Sequence, residues 1–314
     1  MTRGGLVARS SAMREVLDQV RRFAQADATV LITGETGTGK DAVARAIHDG
    51  GERRTHPFIK IDCPSLPTTL VEAELFGHER GAFTDATVAR AGRFELAGRG
   101  TVYLDGVSEL AIESQAKLLR LVEEKHAERL GGTTSYALQA RVIASADAAL
   151  ESRVRDGAFR EDLYHRLRVL PLRLPPLRER RADVAPLART FVREARVKLA
   201  RPPLTLLPDA VGALERYAWP GNVRELRHVI ERTVLELDAA RTALAAGDLP
   251  IDLFEDTAHL FEPGEATRPT LEELERRYIE VVLRQVKQNQ GEAARILGIS
   301  RKALWEKRRR YGLR

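Results

Sequence analysis

Asp105 closes the short apolar run TVYLD (101–105), and Gly106 follows it. A carboxylate at the end of a buried strand can hold Mg²⁺ against a phosphate chain, and a second acid beside it would activate water. Gly106 supplies no such acid. A second chemical stretch is GETGTGK: Gly34, Glu35, Thr36, Gly37, Thr38, Gly39 and Lys40. The G-x-x-x-x-G-K spacing lets backbone N–H groups point inward around phosphates while the lysine reaches the outer ones. The next residue of such loops is ordinarily Ser or Thr, a Mg²⁺ ligand, and here it is Asp41. A third stretch is the C-terminal RKALWEKRRRYGLR, in which Arg301, Lys302, Lys307, Arg308, Arg309, Arg310 and Arg314 stand against one acid, Glu306. Such a basic helix suits nucleic acid.

These residues need elements to position them. TVLITG (29–34), FIKID (58–62), TVYLD and RVIASA (141–146) are short, β-rich and largely apolar, and helix-like segments such as AKLLRLVEEK (116–125) separate them. The alternation predicts an α/β fold whose parallel sheet is covered by helices. LPLRLPPLRERRADV (170–184), with Pro171, Pro175 and Pro176, reads as a connection into a mostly helical region over about 183–245. Pro208 and WPGN (219–222) mark helix starts there, and LFEDTAHLFEPGEATRP (253–269) reads as a linker. From Thr270 the pattern is helical. Thr270 and Glu273 have capping-box spacing, and Leu271, Leu274, Tyr278, Val281, Val282 and Gln285 fall at helical intervals. GEAARILGISRKALWEKRRRYG then predicts a short helix, a turn at Gly298-Ile299, and a second helix capped by Ser300. Ala293, Ala294, Leu297, Ile299 and Leu304 should form its core. Arg308 stands where another apolar residue is expected, so its stem is read as covering the core edge.

The chain has 314 residues, 31 % charged and 43 % hydrophobic, ordinary for a globular protein of two or three domains. No apolar run approaches the ~18 residues that a membrane helix needs. The opening MTRGGLVARSSAM lacks the apolar stretch of a signal peptide. The single cysteine, Cys63, excludes an internal disulfide and fits a cytoplasmic location. The seven histidines show no metal-ligand spacing. The net charge of +6 is moderate, and its concentration at the C-terminus matters more than its size.

Taken together, LITGETGTGKDAVARAIH, ELFGHERGAFTDA, QAKLLRLVEE, FREDLYHRL, PLRER and WPGNVREL resemble one family, the bacterial enhancer-binding proteins, AAA+ activators of sigma-54 RNA polymerase. The C-terminal segment resembles the Fis-type helix-turn-helix usual in them. The resemblance implies an AAA+ P-loop α/β subdomain over 1–172, a helical lid over 173–245, a linker over 246–269 and an all-α helix-turn-helix domain over 270–314. It implies ATP with Mg²⁺ as cofactors, the metal at Asp105. It assigns GAFTDA (Gly81, Ala82, Phe83, Thr84, Asp85, Ala86) to the loop that touches sigma-54, with Phe83 and Thr84 as contacts. It matches Arg160 and Arg166 to arginines that reach a neighbouring subunit's nucleotide, and Arg224 to the lid arginine that senses the γ-phosphate. A ring follows, usually a hexamer, because each site needs its neighbour's arginines. An acid commonly follows the loop lysine in this family, as Asp41 does.

Four residues depart from the family pattern. Gly106 replaces the glutamate that polarises water, Asp62 an asparagine that restrains that glutamate, Asp147 a sensor asparagine, and Asp85 a glycine of the sigma-contact loop. Glu109 is the candidate substitute for the lost base. The first three surround one chemical step while the binding residues stay intact, so the expectation is nucleotide binding with impaired hydrolysis. Family members usually carry an N-terminal sensory domain, for which the lead-in before residue 34 has no room. Control is then expected from a partner, from expression level, or from a mixed ring with a paralogue.

In a helix-turn-helix the second helix enters the major groove with its first residues on the bases. Arg301, Lys302 and Trp305 are the candidates there, with Lys307, Arg309 and Arg310 as phosphate contacts on double-stranded DNA upstream of promoters. Two readings stand. One is a DNA-bound activator that remodels the sigma-54 holoenzyme. The other is a non-hydrolysing ATP- and DNA-binding partner or antagonist of a competent paralogue. An ATPase of unrelated purpose, such as a helicase loader, does not explain the sigma-contact motif or the Fis-like end.

Overall fold

A computed structural model describes residues 6–65, 71–83, 86–250, 271–285 and 289–312. Thr84 and Asp85, the linker segment 253–269, the Thr270 cap and Arg314 lie outside the described residues. So do the side chains of Leu271, Leu274, Val281 and Gln285. The chain forms two compact units, residues 1–249 and 250–314.

In the first unit the strands are β1 (Val30–Thr33), β2 (Phe58–Asp62), β3 (Gly77–His78), β4 (Arg90–Ala91), β5 (Thr101–Asp105), β6 (His126–Glu128), β7 (Ser135–Ala137), β8 (Arg141–Ala146), β9 (Leu170–Arg173), β10 (Thr205–Leu206) and β11 (Ala243–Leu244). The helices are α1 (Ser11–Ala24), α2 (Lys40–Gly50), α3 (Val71–Phe76), α4 (Arg93–Ala97), α5 (Ile112–Glu124), α6 (Leu150–Arg155), α7 (Glu161–Leu167), α8 (Val184–Lys198), α9 (Pro208–Arg216) and α10 (Asn222–Glu236). Five strands make a parallel sheet in the order β2-β5-β8-β1-β9.

Both faces of the sheet are apolar, as a helix-covered parallel sheet requires. Val30, Ile32, Tyr103, Ile143 and Leu172 pack with Met13, Val16 and Val20 of α1 and Val43 and Ile47 of α2. The alternate residues Leu31, Val102, Leu104, Val142 and Ala144 pack with Leu75, Phe94, Leu118, Leu121 and Leu163 of α3, α4, α5 and α7.

The proline-rich connection begins with a strand that the sequence reading placed as coil. Leu170–Arg173 pairs with β1, and Leu170 and Leu174 donate their amides to Thr29 and Thr33 at 3.1 and 2.8 Å. β9 is an edge strand, so the N–H that Pro171 lacks would have faced outward and no ladder bond is lost. After it, α8 and α10 pack as the body of the lid. Pro208 opens α9 at the helix position where a missing N–H costs nothing. Buried Asp183, at the base of the lid, accepts the Ser10 hydroxyl at 2.7 Å and so fastens the N-terminal lead-in.

The second unit contains α11 (Leu271–Gln285), α12 (Gln290–Ile296) and α13 (Arg301–Tyr311). Ser300 caps α13 by accepting the Ala303 amide at 3.1 Å, and Gly298 (φ 66°) makes the turn before it. Its core holds Ile279, Val282, Leu283, Ala293, Ala294 and Leu304, with Leu297, Ile299 and Tyr311 against it. On α11 Val282 is buried as expected, and the described stripe departs from the expectation beside it. Tyr278 is exposed, and Ile279 and Leu283 take the inward positions. On α13, Tyr311 supplies the apolar contact missing at Arg308, three residues later on the same face.

Candidate functional site

The phosphate loop joins β1 to α2 at the carboxyl end of the sheet, where ligands of open α/β folds sit. Gly37 and Gly39 have φ of 79° and 103°, conformations that side chains rarely adopt. Gly39 precedes α2 without a capping side chain, which leaves the first-turn amides to an anion. Lys40 folds across the loop, donating to the carbonyls of Gly34 at 2.7 Å and Glu35 at 3.1 Å. Burial lowers its pKa, while Asp105, Asp147 and Asp41 pull the other way.

The lid grips this loop directly. The amides of Val223 and Arg224 donate to the Gly37 carbonyl at 3.0 and 3.2 Å. A Cβ at Gly37 would come within 2.3 Å of the Gly221 carbonyl, so only glycine permits this approach. Buried Asn222 donates to the Glu35 carboxylate and the Thr36 carbonyl, both at 3.1 Å, and accepts the Leu177 amide at 2.7 Å. Arg178 forks onto Glu35 at 2.8 and 2.6 Å. Arg180 reaches the Thr38 carbonyl at 2.5 Å. The Arg178 bond is the main cause that lowers the Glu35 carboxyl to a pKa of about 2. Sequence reasoning missed Asn222, Arg178 and Arg180 as site residues. Their motifs, GNVREL and PLRER, were the available signal, but nothing in the sequence named the loop as their partner.

Asp105 sits at the end of β5 within a closed set of donors. Its Oδ1 accepts the Tyr103 hydroxyl at 3.0 Å and the Ser145 hydroxyl at 2.6 Å, and its Oδ2 lies 2.8 Å from the Lys60 ammonium. Lys60 also pairs with Asp41, whose carboxylate lies 3.0 Å from the same Tyr103 hydroxyl, so one phenolic proton is shared between the two acids. Burial raises the Asp105 pKa, but the bonds from Lys60, Ser145 and Tyr103 outweigh it and the carboxyl ends below its usual range. As arranged, these residues do not fit a divalent ion, because the Asp105 oxygens are engaged by an ammonium and two hydroxyls. Among the described residues no three His, Cys, Asp or Glu converge on a metal position.

Gly106 is more than a missing carboxylate. Its φ of 76° and ψ of 47° are left-handed, its amide bonds Ser145 at 3.1 Å, and a Cβ there would meet the Pro64 ring at 2.9 Å. Glu109 is held by Arg153 at 2.6 Å, which occupies the proposed substitute base. Arg153 also lies 3.8 Å from Asp147, so a cation does accompany the acid at the sensor position. Asp62 is exposed, in register beside Asp105.

Arg160 forks onto Asp162 at 3.0 and 2.7 Å, and Arg166 is exposed on α7. Neither bonds the phosphate loop among the described residues, so the chain's own fold does not bring them to its nucleotide site. Arg224 is exposed beside Gly37. In the loop over 81–86, Gly81 donates to the Ala86 carbonyl at 2.8 Å, and the Phe83 ring lies 5.0 Å from His78 edge-on. On α13, Arg301 and Lys302 are exposed, Trp305 is 53 % exposed, and Arg309 lies over the Trp305 ring at 5.6 Å. Lys307 and Arg310 pair with Glu275 and Glu272 of α11, the latter at 2.7 Å.

Comparison with known proteins gives three family matches: the Sigma-54 interaction domain over 6–173, the AAA+ ATPase lid domain over 178–265, and the bacterial regulatory protein Fis family over 270–311. The chain is 40 % identical to the regulatory protein AtoC of Escherichia coli (strain K12) over 316 residues, covering 99 % of this chain and 68 % of that one. It is 41 % identical to the formate hydrogenlyase transcriptional activator FhlA of Escherichia coli (strain K12), covering 99 % of this chain and 44 % of that one. It is 47 % identical to the Nif-specific regulatory protein of Klebsiella pneumoniae, covering 73 % and 44 %. The chain thus spans about half the length of several of these relatives. The crystal structure of NtrX from Brucella abortus in complex with ADP superposes with a TM-score of 0.74 at 32 % identity, covering 98 % of this chain and 70 % of that one. A second NtrX structure, in complex with ATP, matches equally well, with a TM-score of 0.74. No helix among the described residues is long and apolar enough to cross a membrane.

Proposed function

The chain belongs to the sigma-54-dependent AAA+ regulators with a Fis-type helix-turn-helix, and from that premise we propose that it is a cytoplasmic transcription regulator that binds ATP between the phosphate loop and the lid. The observation that carries this reading is the seam in which Val223 and Arg224 bond Gly37 beside Lys40. It sets the lid's first turn over the loop amides, with Arg224 poised for an outer phosphate. Residues 301–310 would read DNA upstream of promoters, and the loop over 81–86 would touch the sigma-54 holoenzyme.

Arg160, at the N-cap of α7, and Arg166, exposed on α7, would act in trans, offsetting charge on a neighbour's phosphates in a ring, a hexamer or a mixed ring. The Mg²⁺ that the family implies would have to displace Lys60 from Asp105, and no step here depends on it. Hydrolysis is impaired in this reading. Loss of a general base costs roughly a hundredfold to ten-thousandfold, and Glu109 is engaged elsewhere. The left-handed Gly106 against Pro64 favours the second reading as well, a non-hydrolysing partner of a competent paralogue, because the backbone itself is committed away from a side chain there.

The test is steady-state phosphate release from ATP above the concentration at which the protein assembles, together with equilibrium nucleotide binding. Brisk turnover supports the activator and removes the non-hydrolysing partner. Binding without turnover supports the partner. Absence of binding removes both.

A further inference from the structure

We infer that Lys60 is a built-in counter-cation for Asp105 and Asp41, so that this site takes a nucleoside triphosphate without a divalent metal at the strand end. The inference rests on the ATP reading and concerns which cation accompanies the nucleotide.

Lys60 stands on β2 opposite Tyr103 of β5, and Asp105 lies two residues on along the same face of β5. Its ammonium passes the Tyr103 ring at 5.8 Å and ends between the two carboxylates, 2.8 Å from Asp105. The Tyr103 hydroxyl lies 3.0 Å from each acid and has one proton to share between them, and Ser145 donates to Asp105 from β8. The set is thus oriented by three strands and by the first turn of α2, next to Lys40.

Two carboxylates facing a triphosphate repel it, and a divalent ion is the usual remedy. Here a tethered ammonium offsets one of the two negative charges. Asp41 stands where a Ser or Thr hydroxyl would ligate Mg²⁺, and as an acid it draws an ammonium instead. A metal could enter only by exchanging with a tethered charge that carries no translational cost of binding.

The experiment titrates the full chain with a fluorescent ATP analogue, in excess Mg²⁺ and in EDTA. Affinities that agree within about fivefold in the unmodified protein are expected, since tenfold is the scale of one well-placed charge. Lys60→Met should lose about tenfold or more in EDTA and recover in Mg²⁺, whereas Asp41→Ser, which removes one of the two acids and leaves Lys60 on Asp105, should bind in EDTA at least as tightly as the unmodified protein. Loss beyond about fivefold in EDTA by the unmodified protein overturns the inference, as does a Lys60→Met protein that matches it in both buffers. If Lys60→Met does not fold, the unmodified protein's two titrations decide alone. No binding in either buffer overturns the ATP reading and this inference with it. Binding confined to Mg²⁺ overturns only the inference.

Discussion

The side-chain amide of Asn222, the first residue of the lid helix α10, donates to the Glu35 carboxylate of the phosphate loop at 3.1 Å. Asn222 has φ 55° and is fully buried, and it also serves Leu177 and Thr36. One residue thereby joins three chain segments at the candidate nucleotide site.

Asn222→Ala should destabilise the protein by about 1–3 kcal/mol from the groups left unpaired, with about 1 kcal/mol more because alanine tolerates the left-handed region poorly. Urea unfolding would measure this. The same variant should bind nucleotide more weakly, because the lid no longer pins Glu35. A variant with unchanged midpoint and affinity would remove the latch from the account.

Glu35 sets a pH window. Its folded-state pKa is about 2 against an ordinary 4.5, so its contribution is present above about 4.5 and is lost as the pH falls toward 2. The gap in thermal midpoint between the unmodified protein and Glu35→Gln should therefore shrink between pH 5 and 3. A gap that stays constant across that range would show that the Arg178 and Asn222 bonds do not depend on the charge.

Gly106→Glu alone should not restore a working base. A side chain at φ 76° costs about 1–2 kcal/mol, and it meets the Pro64 ring. The double variant Pro64→Ala/Gly106→Glu should recover part of the lost stability and raise phosphate release above that of Gly106→Glu. Equal rates in the two would mean that Pro64 does not matter.

On α13 the cations divide by what holds them. Arg309→Ala should reduce the slope of log affinity against log salt by about 0.9 on duplex DNA. Lys307→Ala and Arg310→Ala should reduce it less, since their charges are matched by Glu275 and Glu272. Three equal slope changes would mean that those pairs open on binding. Ser300→Ala should cost the second unit about 0.5–2 kcal/mol through the lost cap, read by thermal unfolding.

Much of the fold was legible because local signals agreed. β1, β5 and β8 are apolar runs of strand length, Gly37 and Gly39 announce a loop that other residues cannot follow, and Ser300 caps the helix it was expected to cap. β9 was missed because proline argues against a strand until its place at the sheet edge is known. The stripe on α11 was misphased because Tyr278 and Ile279 are both apolar enough to face inward, and only packing against α12 and α13 chooses between them.

The sequence by itself determined the parallel sheet, the phosphate loop, the helical region after it and the helix-turn-helix, since periodicity, glycine placement and caps act over a few residues. It also determined that no acid follows Asp105. The tertiary structure alone decided what surrounds those groups. Glu35 meets Asn222 from 187 residues away, Lys60 reaches Asp105 only because β2 lies beside β5, and Pro64 stands against Gly106 for the same reason. Strand order and lid closure set these meetings, and electrostatics and sterics, which act through space and not along the chain, give them their effect.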